Sequence, residues 1–195
     1  MNELKNNCGL AEQYEKARRK LSEIDTQVIL VEPVLRLAGY NVNNPFVVKR
    51  ASRNGHSKKL GDKWTGEFDV EIYDEDKLKI AIEVKSLSGF YFDIASIEDS
   101  KNSLGKMTNN PKGYWDQKTG DDIGQLRAYC INYSHFIEGK TLPVITNGRH
   151  WILFGKNFID NPDQAISLNN IHAYGDINDS DFYDKIVKQL EKAYF

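Results

Sequence analysis

Asp69 precedes the tripeptide Glu83-Val84-Lys85 by fourteen residues, and both lie in apolar stretches separated by the turn-forming run Asp74-Glu75-Asp76-Lys77. A hairpin centred on Asp76 has Asp69 seven residues before its midpoint and Glu83 seven after it, so the two carboxylates stand opposite one another on one sheet face. Lys85 shares that face by the period-two rule. Two carboxylates and an ammonium held on a rigid sheet edge can bind a hard divalent cation and leave one positive charge for a phosphate or an attacking water.

The chain around this hairpin is 195 residues long, enough for one domain with a sizeable core. Its net charge of -2 conceals an asymmetry. From Pro45 to Lys63 there are six basic residues (Lys49, Arg50, Arg53, Lys58, Lys59, Lys63) against the single acid Asp62, whereas Asn157 to Asp184 holds six Asp and no Lys or Arg. One end of the molecule is therefore suited to polyanions and the other is not. Cys8 and Cys130 belong to no C-x-x-C pattern or zinc-ligand series and read as reduced thiols of a cytoplasmic protein. The first twenty residues are charged throughout and no later apolar run approaches membrane-spanning length, so neither secretion nor a membrane partner is expected.

Ser22, with Asp25 three residues later, forms a weak capping box ahead of Ile24, Val28, Val31, Leu35 and Ala38, which recur at helical spacing. Pro33 should kink this helix and Gly39 should end it. A turn at 41–44 leads to the expected strand Phe46-Val47-Val48, and Lys49 to Lys63 has a loop composition. Strands are expected over Gly66 to Tyr73 and Lys79 to Ser86. Between about 87 and 120 periodicity fails, apart from a short helical pattern at Ile94 to Ser100, which marks an insertion. Asp121 opens a helix with Ile123, Leu126, Tyr129, Cys130 and Tyr133 on one side and Arg127 elsewhere. Strands Leu142 to Thr146 and His150 to Phe154 flank an Asn147-Gly148 turn, and a last helix spans about Ser180 to Tyr194 within an acidic C-terminal extension, about 157–195. This order predicts an α/β fold, a central mixed β-sheet flanked by helices on both faces.

An Asp at the end of one strand, a Glu-x-Lys on the next and a helix after it resemble the PD-(D/E)XK nuclease superfamily, and more closely the N-terminal nuclease domain of type I restriction enzyme R subunits. The matching segments are Ser22-Glu23-Ile24-Asp25-Thr26 with Pro33-Val34-Leu35 and Gly39-Tyr40, then Asp69, then Ile82-Glu83-Val84-Lys85. Gln125-Leu126-Arg127-Ala128-Tyr129 follows, similar to the family's Gln-x-x-x-Tyr motif, then Ile145-Thr146-Asn147-Gly148 with Trp151. A lone Glu-x-Lys is weak; five segments in the family's order across Leu21 to Phe154 are more specific. The resemblance implies a restriction-endonuclease-like fold, with Mg2+ as cofactor and Mn2+ as its substitute. The stretch between Lys85 and Gln125 is longer than the family pattern. The chain lacks the G-x-x-x-x-G-K-[ST] loop of an ATPase motor and ends about where such a nuclease domain ends, so translocation is expected to be absent or supplied by another polypeptide, a separate motor or specificity protein.

Each candidate has a bland counterpart. Asp69 alone reads as one more acid beside Glu67 and Glu71; Glu83 and Lys85 turn it into a metal ligand. A carboxylate directly after Ile80-Ala81-Ile82 is costly to bury unless a cation compensates it. Lys85 can be a mere partner of Glu83. In the resembled family the equivalent lysine positions or activates the water and offsets charge on the phosphorane, and electrostatic stabilisation is the role expected here. For the helix-borne ligand Glu23 and Glu32 compete. Glu23 at the helix start is excused by the helix dipole and Glu32 sits among apolar residues, but the family match lies on Glu23. The expected metal set is Glu23, Asp69, Glu83 and the Val84 carbonyl.

Gln125 and Tyr129 share a helical face. Tyr129 can be core, and the resemblance implies that Gln125 contacts nucleic acid or the site water. Lys49, Arg50, Arg53, Lys58 and Lys59 offer phosphate contacts that carry affinity without sequence choice. Phe90-Tyr91-Phe92 and Tyr114-Trp115 can stack on unpaired bases or pin the insertion. His56, His135, His150 and His172 are scattered and receive no role.

The expectation is thus a Mg2+-dependent DNA endonuclease of a restriction or mobile-element system, with DNA as partner and room for a homodimer. A catalytically silent nucleic-acid or protein binding module of the same fold is the rival, its acidic end docking a partner or mimicking DNA. An RNase or a branched-DNA nuclease is the third reading.

Overall fold

The computed structural model describes residues 1–17, 20–50, 58–60, 63–65, 68–87, 126–127, 130, 141–158 and 170–194. Eight strands are found among them: β1 Val48–Arg50, β2 Lys58–Leu60, β3 Lys63–Thr65, β4 Val70–Asp74, β5 Lys77–Val84, β6 Leu142–Thr146, β7 His150–Phe154 and β8 Ile171–Asp176. Six form one mixed sheet in the order β1-β4-β5-β6-β7-β8, while β2 and β3 pair separately. The β5/β6 pair is parallel and its neighbours are antiparallel, so the class is α/β.

The capping box forms as its residues dictate. Ser22 Oγ accepts the Asp25 N–H at 3.1 Å and Asp25 Oδ2 accepts the Ser22 N–H at 3.2 Å. The helix behind it, α2, runs over residues 23–37 as Glu23–Thr26, a π-helical turn Gln27–Val31 and Glu32–Leu37. The kink expected at Pro33 is taken up by that wide turn: the Glu32 N–H reaches back to Gln27 O, loosening the ladder where proline supplies no donor. Two further helices are α1, Asn2–Lys16, and α3, residues 183–194, the latter opening with a π-helical turn Tyr183–Val187.

The three helices cover one face of the sheet. Leu4, Cys8 and Ala11 of α1, Leu30, Val34 and Leu35 of α2, and Ile186, Val187 and Leu190 of α3 share a core with Val70, Ile72, Ile80, Ile82, Val84, Val144 and Trp151. Residues of opposite parity, Ala81, Glu83, Ile145 and Ile152, are buried as well. Helical Leu126, Arg127 and Cys130 are also buried, and Cys130 is near enough to Glu83 to feel its charge.

Several expectations are corrected here. The first strand starts at Val48, because Asn44 folds a turn whose carbonyl takes the Val47 and Val48 N–H groups. Lys49 and Arg50 are part of it, and the basic stretch expected to be loop also contains the β2/β3 ladder. The acidic end carries an edge strand of the main sheet: β8 pairs with β7 from His150↔Asp176 to Phe154↔Ile171. Residues 88–125, which include nearly all of the expected insertion, lie outside the described residues. Among the described residues no helix is long and apolar enough to cross a membrane.

Candidate active site

The β4/β5 hairpin turns at Glu75-Asp76, with Asp74↔Lys77 and Tyr73↔Leu78 as its first pairs. Beyond Tyr73 the register shifts by one residue to Ile72↔Ile80, Glu71↔Ala81 and Val70↔Ile82. That bulge matters for chemistry. Continued one step, the shifted register sets Asp69 across from Glu83; without it Asp69 would face Ile82 and the acids would lie on opposite sides of the sheet. The sequence-based centre at Asp76 arrives at the same pairing, because the extra residue on β5 displaces the effective midpoint.

At the end of β5 the groups converge. Asp69 Oδ2 accepts the Val84 N–H at 2.7 Å, and Lys85 Nζ donates to Glu83 Oε1 at 2.8 Å. The Lys85 N–H is turned to β6, donating to Thr146 O at 2.8 Å. In a trans peptide the Val84 carbonyl then points the opposite way, toward Asp69. Glu83 is 4 % exposed and Lys85 9 %. Burial pushes the Asp69 carboxyl up to about 6, outweighing the Val84 N–H and the Lys85 charge that act downward. It pushes Glu83 up to about 8, again against Lys85 and with the Asp69 charge adding to the rise. Two carboxyls are thus withdrawn from water at a point where their joint negative charge is poorly offset.

The two helix-borne acids have different surroundings. Glu32 is buried, and its carboxylate is taken by Arg50 Nε at 2.7 Å and Arg36 at 3.3 Å. Its burial among apolar residues thereby has a structural explanation. Glu23, in the first turn of α2 with its side chain about half exposed, has Oε1 4.0 Å from Lys85 Nζ. Of the pair, Glu23 is the one that faces the Asp69/Glu83 end of β5.

The basic residues divide as well. Arg50 also donates to the Val42 carbonyl at 2.8 Å, so its guanidinium clamps structure. Lys49 Nζ lies 3.2 Å from Glu71, a buried acid two residues from Asp69 whose other partner is the Tyr73 hydroxyl at 2.9 Å. Lys58 and Lys59 lie on β2, with only their backbone described. Arg53, Gln125 and Tyr129 lie outside the described residues. His150 pairs with Asp176 at 3.2 Å and His172 with Gln189.

Among the described residues no three His, Cys, Asp or Glu side chains converge as a ready metal cluster. The donor chemistry nonetheless suits a divalent cation. Asp69, Glu83 and the Val84 carbonyl are hard oxygen donors at the adjoining ends of β4 and β5, and both carboxyls are raised chiefly by burial, a cost that a bound cation would offset.

Sequence reasoning gave Asn147 no role beyond its turn and matching segment and gave Arg149 none. Asn147 is buried and bonds three backbone groups. Arg149 ties α1 to β8, contacting Glu12 at 2.7 Å and Asp176 at 2.8 Å. An Asn-Gly turn advertises a hairpin, and nothing in its sequence announces which distant carbonyl the asparagine will reach. No protein-family model, curated protein or solved structure matches this chain.

Proposed function

We propose that the chain is a Mg2+-dependent DNA endonuclease of the PD-(D/E)XK kind, with its site at the β4/β5 strand ends. The observation that carries this reading is the bulged register, which continued one residue past Val70↔Ile82 brings Asp69 across from Glu83, with Lys85 Nζ bonded to Glu83 at 2.8 Å. Asp69, Glu83 and the Val84 carbonyl would hold the cation, with Glu23 swinging in from α2. The cation supplies a Lewis acid for the phosphate and lowers the pKa of a water nucleophile. Lys85 would direct its N–H donors at the non-bridging phosphate oxygens, where negative charge grows in the transition state. Lys49, whose ammonium pairs with Glu71, would contact a neighbouring phosphate.

One observation favours a second reading, a binding module of the same fold without turnover. Lys85 already engages Glu83, and the acids do not stand as a closed ligand set. A plasmid-nicking assay with Mg2+ or Mn2+ against EDTA separates the two. Metal-dependent nicking supports the nuclease; binding without cleavage under either metal supports the module.

A further inference from the structure

The turn between β6 and β7 touches both elements that carry the proposed site. Asn147 is 2 % exposed, and its Oδ1 accepts the N–H groups of Arg149 at 3.1 Å and His150 at 2.7 Å. Backbone N–H groups only donate, which fixes the orientation of the amide. Its Nδ2 therefore faces β5 and donates to the Leu87 carbonyl at 3.2 Å. The last ladder pair between β5 and β6 is Val84↔Thr146, and the Lys85 N–H follows it onto Thr146 O at 2.8 Å. Past that point the Asn147 side chain ties the two chain segments together.

The same turn braces α2. Gly148 has a φ of +82° and lies so close to Leu30 that a Cβ would stand 2.5 Å from the Leu30 Cβ. Leu30 is seven residues on from Glu23 in that helix. One four-residue turn thus spans from the strand exit bearing Lys85 to the helix bearing Glu23.

We infer that Asn147 is a positioning residue for Lys85: its Nδ2–H bond to the Leu87 carbonyl holds residues 85–87 in place beyond the ladder and so sets where the Lys85 ammonium stands beside Glu83. A strand released at its last ladder pair frays, and a lysine on a fraying end carries its ammonium with it. A misplacement of about 1 Å at a reacting group costs on the order of a hundredfold in rate. The functional half of this inference rests on the nuclease reading; the structural half does not.

Asn147→Ser tests it, because a serine at this position can still accept the turn's N–H groups but is too short to reach Leu87. Asn147→Ala loses both functions and serves as the second variant. Amide exchange is followed on the labelled full-length chain in EDTA, with the β7/β8 amides as internal reference, and cleavage is measured with Mg2+. Expected for Asn147→Ser are faster exchange of the Lys85 amide relative to the reference amides, a kcat lowered about tenfold to a hundredfold, and a KM for DNA within about twofold of wild type. Asn147→Ala should lose as much kcat as Asn147→Ser while melting at a lower temperature, since only it gives up the turn. Unchanged Lys85 exchange in both variants overturns the inference, as does an Asn147→Ser enzyme with wild-type kcat. If the wild-type chain cleaves no DNA with either Mg2+ or Mn2+, the nuclease reading fails instead, and exchange at Lys85 alone decides the role of Asn147.

Discussion

Glu83→Gln should stabilise the metal-free protein increasingly as pH rises. The Glu83 carboxyl moves from an ordinary 4.5 to about 8 on folding, chiefly through burial. A raised carboxyl pKa favours the folded state at low pH. The stability it contributes is complete below 4.5 and drains away as pH climbs through 8. Between those limits each pH unit costs about 1.4 kcal/mol, so ionisable Glu83 costs about 1 kcal/mol at pH 5 and about 3 kcal/mol at pH 7 relative to a neutral isostere. Glutamine keeps the Oε1 that accepts from Lys85 Nζ at 2.8 Å and removes only the charge. The gain of about 2 kcal/mol between pH 5 and 7 corresponds to roughly 5 °C in melting temperature for a domain of this size. The assay is thermal unfolding of both proteins in EDTA from pH 5 to 8, read as the difference between them so that other titrations cancel. Millimolar Mg2+ should then raise the melting temperature of wild type at pH 8 and leave Glu83→Gln nearly unmoved. A melting difference that stays flat with pH, or that turns against the variant as pH rises, refutes the reasoning from burial.

Other perturbations probe separate parts of the molecule. Lys85→Met removes the ammonium that competes with a cation for Glu83, so Mn2+ should bind this variant more tightly by calorimetry even though cleavage is lost; weaker binding would mean that Lys85 does not oppose the metal. Gly148→Ala should cost about 3 kcal/mol or more in denaturant unfolding, since the new methyl meets Leu30 and the backbone has a φ of +82°; a loss under about 1 kcal/mol would contradict the close approach. Burial pushes the Asp176 carboxyl upward, but bonds from His150, the Asn178 N–H and Arg149 outweigh it and hold it at about 2, below its ordinary 3.8. The stability it contributes is therefore present above pH 3.8 and lost as pH falls toward 2. Asp176→Asn should destabilise the protein at pH 6 by about 1 kcal/mol after solvent screening and flatten its acid unfolding, as followed by circular dichroism.

The parts of the fold legible in sequence are those set by local chemistry. Ser22 and Asp25 announce their capping box, and the Asn147-Gly148 turn brings β6 and β7 together as expected. The β4/β5 bulge is different, since the run Tyr73 to Leu78 carries no glycine to mark a change of register. Helix α1 was hidden by its charge: Leu4, Cys8 and Ala11 follow a helical spacing, but few residues in that stretch are apolar. Strand β8 was obscured because its outer edge is half exposed, and Gly175 looks like a breaker until α3 packs on it, with Ile186 Cγ1 3.0 Å from where a Cβ would stand. Within the site, a hairpin centred on Asp76 sets Asp69 against Glu83, but the structure reaches that pairing through a bulge the sequence does not mark. The second partner of Glu32 could not be read from spacing, because Arg50 is eighteen residues away and reaches it only once β1 is in the sheet.

Cleavage of supercoiled plasmid by wild type and by Lys85→Ala, with Mg2+ and with EDTA, addresses the nuclease proposal most directly. The expected result is nicking by wild type with Mg2+ only, and none by Lys85→Ala, with the variant still folded by circular dichroism and still retained on DNA. Undiminished Mg2+-dependent nicking by Lys85→Ala would contradict the proposed role of the Asp69, Glu83 and Lys85 cluster.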